Sequence, residues 1–172
     1  MKPSLTDTLC TRCGLCCDGS IFADVELAGS DETTALEAMG LEIEDADGDE
    51  GGLLLQPCGA LKGSRCCIYP HRPECCRTFK CRLLQGGERG AVEVEQASEQ
   101  IAEALKRIGR VKELVVQLGK GDERLPLKER VEEALALSQT AAAGSVMKRK
   151  RVELQAATTS VERLIRLTFL GG

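Results

Sequence analysis

Ten cysteines are the residues of this 172-residue chain best suited to chemistry, and all ten lie within its first 81 positions. The first group reads Cys10-Thr11-Arg12-Cys13-Gly14-Leu15-Cys16-Cys17. A gap of two residues lets the chain turn so that two thiolates face one ion. Gly14, directly after the second cysteine, relieves crowding and is free to take a positive φ. The Cys-x-x-Cys-Gly spacing suits a tetrahedral zinc ion. Three cysteines at successive two-residue gaps also suit three corners of an iron–sulfur cube. Spacing alone leaves both chemistries open.

The second group is Cys58, Cys66-Cys67, Cys75-Cys76 and Cys81, set among Arg65, Arg72, Arg77, Lys80 and Arg82. A zinc ion held by four thiolates carries a formal charge of about −2, and cationic neighbours stabilise that charge and lower thiol pKa values. A solvated basic patch has the same composition, so the cations support a thiolate cluster without requiring one. An even number of cysteines also allows a disulfide framework, which needs an oxidising compartment. The first nine residues contain no apolar run of signal-peptide type, and no stretch has the length of a membrane span. The expectation is a cytoplasmic chain with reduced thiols. A radical SAM site is opposed by the spacing, because it needs three residues in its first gap.

Charge is unevenly spread. Residues 18–57 hold 12 acidic residues and no Lys or Arg; residues 58–90 hold seven basic and two acidic ones. The net charge of −4 therefore hides an acidic segment followed by a basic one. An acidic total argues against general nucleic-acid binding, which needs net neutralisation of phosphate.

The elements that must position the cysteines are modest. Ser30 as N-cap, with Asp31 and Glu32 in the first turn, predicts a helix over 30–39 that Gly40 ends. Leu41-Glu42-Ile43-Glu44 and Leu53-Leu54-Leu55 predict a short β-hairpin. Residues 57–81 read as turns and short helical pieces. After Gly86-Gly87 the pattern becomes helical. Ile101, Leu105, Ile108, Val115 and Leu118 predict an amphipathic helix over 93–118, weakened locally by Gly109 and broken by Gly119 and Gly121. Pro126 opens a second helix with a Leu127, Val131, Leu135 and Ala142 stripe, and Gly144 interrupts it. A third helix, about 147–170, carries Leu154, Ala157, Val161, Leu164 and Thr168. The fold expected is mostly α: a small irregular cysteine-cluster domain with a short β-hairpin (1–87), then about three helices (88–172). The helices have the pattern to pack together or to pair with a second copy.

Taken together, the cysteine region resembles the YkgJ-type cysteine-cluster family, described as zinc- or iron-chelating. That family's pattern is present in order: Cys10, Cys13 and Cys16-Cys17; Pro57-Cys58; Cys66-Cys67-Ile68-Tyr69; and Arg72-Pro73-Glu74-Cys75-Cys76-Arg77-Thr78-Phe79-Lys80-Cys81. The resemblance spans residues 10–81. It implies eight ligands: Cys10, Cys13, Cys16, Cys17, Cys58, Cys66, Cys76 and Cys81. Cys67 and Cys75 fall at its variable positions. It also implies that Tyr69, Arg72, Pro73 and Arg77 shape the site. Arg72 and Arg77 are placed to donate to thiolate sulfurs or to backbone carbonyls. Two four-thiolate zinc sites would consume all eight cysteines; one 4Fe–4S cluster would use four. The flagellin lysine-N-methylases belong to the same family and have a similar cysteine run associated with an iron–sulfur cluster.

Three functions follow as expectations. The first is a non-catalytic zinc-binding protein whose helices dock on a protein partner or self-associate. The second is a 4Fe–4S protein serving as a redox or accessory component of a modifying enzyme. The third is metal buffering or delivery, with the adjacent pairs Cys16-Cys17, Cys66-Cys67 and Cys75-Cys76 exchanging as ligands. No Gly-rich nucleotide loop or acid–base pair marks an enzyme. Residues 45–50 look like a calcium loop but lack Gly at the sixth place and Glu at the twelfth. His71, the only histidine, is not needed as a ligand where thiolates suffice. Lys148-Arg149-Lys150-Arg151 spans a full helical turn, so its four charges cannot share one face.

Overall fold

A computed structural model describes residues 4–46, 51–137 and 144–171. Helix α1 (Leu5–Cys13) starts at a capping box. The Asp7 N–H donates to Ser4 Oγ at 3.0 Å and the Ser4 N–H donates to Asp7 Oδ2 at 3.2 Å, satisfying two orphan donors. Gly14 closes the helix at φ 70°, and its N–H donates to the Cys10 carbonyl. A Cβ there would lie 3.1 Å from the Ser64 backbone, so both the conformation and the close approach select glycine. The sequence pattern had suggested only a dense cysteine run at these positions.

Next come β1 (Asp24–Glu26), α2 (Ser30–Ala38), β2 (Ile43–Asp45) and β3 (Gly52–Leu55). The predicted hairpin is present as β2 and β3, antiparallel with Ile43 opposite Leu54. It supplies two strands of a three-stranded sheet of order β1-β3-β2, because Val25 of β1 also pairs opposite Leu54. Three residues are too few to show a strand's alternation, so β1 left no pattern. Helix α2 ends as expected at Gly40, φ 81°. Ser30 is its first helical residue, however, and Gly29 occupies the cap position. Asp47, Gly48, Asp49 and Glu50 of the calcium-like run lie outside the described residues.

Residues 57–81 form the short pieces expected: the two-residue strands β4 (Leu61–Lys62) and β5 (Arg65–Cys66), a 3₁₀ turn (Tyr69–His71) and α3 (Glu74–Thr78). Helix α4 (Arg82–Glu88) contains Gly86-Gly87. These glycines mark close packing: a Cβ on Gly86 would meet Val92 at 2.9 Å, and one on Gly87 would meet Leu5 at 2.7 Å.

Helices α5 (Val94–Gln117), α6 (Leu127–Leu137) and α7 (Ser145–Ile165) follow, the last continuing as a π-helical turn (Arg166–Leu170). The three helices pack on one another. Buried positions on α5 and just past its end, Ala97, Ile101, Ala104, Ile108, Val111, Val115 and Leu118, repeat at alternating gaps of four and three. Leu105, included in the predicted stripe, is 39% exposed. Ala97, Ala104 and Val111 take the seam instead, because small residues let a neighbouring helix approach. Leu127, Val131, Leu154 and Val161 are buried as expected, with Ala134, Ile165 and Phe169 added. Leu135, Ala157 and Leu164 are partly buried against the same core, and Ala142 lies outside the described residues. The fold is mostly α.

Two apolar clusters organise these elements. The helical core contains α5–α7 residues together with Leu9 of α1, Leu15, and Leu83 and Leu84 of α4. The sheet core is Leu27, Leu36, Leu41, Leu54 and Ala60.

Candidate metal centre

Between the two cores lies a cavity of about 710 Å³ whose wall carries nine of the ten cysteines. Cys67 is the exception and is exposed. Cys10 and Cys13 are one turn apart on α1, so their side chains share a face. Cys16 and Cys17 follow in a turn whose Cys17 and Asp18 N–H groups both donate to the Gly14 carbonyl. Leu15, with no exposed surface, is inserted in the helical core and fixes this turn. A Lys112–Asp18 ion pair at 2.8 Å joins the same turn to α5.

Cys58 is held by its own N–H, which donates to the Cys17 carbonyl at 2.8 Å and to Gln56 Oε1 at 3.1 Å. Cys66 lies on β5 opposite Leu61. Cys75 and Cys76 sit in the first turn of α3, their sulfurs 4.0 Å apart. The Glu74 N–H at the start of that helix donates to Glu32 Oε1 of α2 at 2.8 Å. Cys81 is the N-cap of α4, where its sulfur accepts from the Leu84 N–H at 3.4 Å.

Of the five predicted cations, Arg72, Arg77 and Lys80 reach the wall, whereas Arg65 and Arg82 do not line it. Arg72 stacks on the Tyr69 ring, 3.6 Å from its centroid. Its Nε–H donates to the Tyr69 carbonyl at 3.1 Å and Nη1 donates to the Cys76 carbonyl at 3.5 Å. Its guanidinium thus takes the carbonyl-bonding alternative and braces the chain between Tyr69 and α3. Phe22 and Phe79 meet edge-to-face at 5.3 Å and also line the wall. This aromatic pair joins residues 57 positions apart and had no local signal. His71 is exposed and outside the wall.

Six of these thiols, Cys10, Cys13, Cys16, Cys17, Cys58 and Cys76, hold their protons more tightly than a free thiol. Burial pushes Cys13 and Cys17 up to about 12 and raises Cys16 further, and neighbouring thiols add to each shift. Burial also raises Cys10 and Cys58. In the Cys75–Cys76 pair the sulfur contact eases loss of the first proton, from Cys75, and opposes the second. Among the described residues no three His, Cys, Asp or Glu side chains are grouped tightly enough to hold an ion as they stand. The donor set nonetheless fits a thiophilic metal: nine partly buried cysteines line one cavity wall, and several of them lie in the field of others. A bound cation would reverse the penalty that keeps them protonated.

A wall of clustered cysteines on short, irregular elements defines a cysteine-cluster metal-binding domain. Residues 9–104 match the family described as "CxxCxxCC: Putative zinc- or iron-chelating domain", over half of the chain, and the chain belongs to that family. The match runs past Cys81 through α4 into α5, the helices that pack against α1. No curated protein and no solved structure matches the chain. No helix among the described residues is long and apolar enough to cross a membrane.

Proposed function

We propose that this chain is a non-catalytic metal-binding protein that holds zinc through Cys10, Cys13, Cys16, Cys17, Cys58, Cys66, Cys76 and Cys81. The observation that carries this reading is the gathering of nine cysteines from six separate segments into one cavity wall. Such convergence has little use unless the thiols share a ligand, since each buried thiol loses solvation. Zinc suits an all-thiolate donor set. The bound metal would staple the sheet side, with its small apolar core, to the helical core. The helices would then dock on a partner protein or on a second copy, and Val116, Val146 and Val152 are exposed on them.

A second reading, a 4Fe–4S protein, is favoured by one arrangement. Cys10, Cys13 and Cys16 form a two-gap run, and the distant Cys81 is an electrostatic neighbour of all three. Three clustered cysteines plus one remote one is a recurring way to hold a cluster. Anaerobic purification followed by metal and acid-labile sulfide analysis separates the two. Colourless protein with stoichiometric zinc and no sulfide is expected. Brown protein with equal iron and sulfide would overturn the zinc assignment, and metal-free protein that cannot be loaded would overturn both. Sedimentation of the loaded protein over a concentration series tests self-association.

A further inference from the structure

We infer that the cavity holds two separate four-thiolate centres, one formed by Cys10, Cys13, Cys16 and Cys81 and the other by Cys17, Cys58, Cys66 and Cys76. This rests on the metal-binding reading and adds to it a division of the ligands.

The first support is packing. Cys10, Cys13 and Cys81 pack against the helical core. Cys58 and Cys66 pack against the sheet core. The two sets do not overlap, so five of the eight thiols are sorted by the apolar cluster behind them.

The backbone supplies the second. Cys10 and Cys13 ride on α1, and Cys81 caps α4, which packs directly on α1. On the other side, the Cys17 carbonyl accepts from the Cys58 N–H, the Cys58 carbonyl accepts from the Leu61 N–H, and Leu61 pairs with Cys66. Cys17, Cys58 and Cys66 are therefore linked through consecutive main-chain contacts. The chain crosses from one set to the other between Cys16 and Cys17.

Electrostatic neighbours place the remaining thiols. Cys16 lies in the field of Cys13 first, then of its chain neighbour Cys17, then of Cys81 and Cys10, so three of its four thiol neighbours belong to the first set. Cys17 feels Cys58 and Cys66 most among the thiols, with Cys10 behind them. Cys76 faces Cys17 and Cys58, whereas Cys75 has Cys76 and Glu32 as its neighbours. Cys76 is thus the fourth ligand of the second set, and Cys75 stands beside it on the side toward α2. The centres are adjacent, so their negative charges repel. Arg72 is placed to offset this, because it lies in the field of Cys10 and donates to the Cys76 carbonyl.

The test uses the full chain, stripped under anaerobic reducing conditions and loaded with ¹¹³Cd²⁺ alone. Two cadmium resonances of equal intensity are expected, one correlated with the β-protons of Cys10, Cys13, Cys16 and Cys81 and the other with those of the second quartet. Metal content of variants gives an independent count. Cys13→Ser and Cys58→Ser should each lower two ions per chain to one. The Cys13→Ser, Cys81→Ser pair should also hold one, and the Cys13→Ser, Cys58→Ser pair none. Cys67→Ser should keep both. A single resonance, correlations that mix the quartets, or loss of all metal in either single variant would overturn the division while leaving the metal-binding reading standing. A wild-type chain that takes up no cadmium or zinc would overturn both. The wild-type spectrum decides the matter even where a variant fails to fold.

Discussion

The two halves of the molecule hold themselves together by different means. Among the described residues, the helical core buries 19 apolar side chains from α1 and α4–α7 and from the turns beside them. The sheet core buries five. Strands of two to four residues around so few side chains leave the sheet side little apolar area to hold it together. Small apolar cores are commonly supplemented by a metal or a covalent crosslink, and nine cysteines line a shared cavity on this side. The lesson is that the cysteines stand where apolar side chains run out.

Metal removal should break the comparison open most widely. A structural zinc contributes roughly 10–16 kcal/mol to folding at neutral pH. Chelation under reducing conditions is expected to abolish amide protection across β1–β5 and α3 and to leave α5 and α7 protected, as read by hydrogen exchange. Helix α1 should be the intermediate case, because Leu9 belongs to the helical core while Cys10 and Cys13 face the cavity. Uniform protection before and after chelation would show that the sheet side needs no metal.

Within the helical core, Leu114→Ala should cost about 2–5 kcal/mol, because Leu114 is fully buried and its removal leaves a cavity. Metal content should not change, which separates the two sources of stability. Gly14→Ala should cost less, about 1–2 kcal/mol for the left-handed backbone, with a further increment if the Ser64 backbone cannot give way. Its effect should appear as weaker metal retention in a competition with a chelating dye. Lys112→Ala, which removes the ion pair to Asp18, should be the smallest change at roughly 0–1 kcal/mol and should shrink with added salt.

Legibility followed the length of each pattern. Helix α5 was readable within a residue at each end because 24 residues repeat one period many times. Even there Leu105 was misplaced, since a seam that accepts Ala97 and Ala104 looks polar to a hydrophobicity pattern. The sheet's central pairing was readable from Ile43 and Leu53-Leu54-Leu55, but β1 was not. The capping box at Ser4 and Asp7 could have revealed α1, had the cysteines that follow not drawn the reading toward turns.

The ordered run of cysteines by itself pointed to the family, and the apolar periodicity after Gly87 to the mostly helical class. Cysteine type and spacing limit which ions the chain can hold, and periodicity limits which segments can be helices. Only tertiary structure decided that Cys75 joins the wall while Cys67 faces solvent, that Leu15 anchors the cysteine turn, and that Phe22 meets Phe79. It also decided which thiols back onto the helical core and which onto the sheet. Spacing governs neighbours along the chain, whereas the side of a cavity that a residue occupies depends on contacts between segments tens of residues apart.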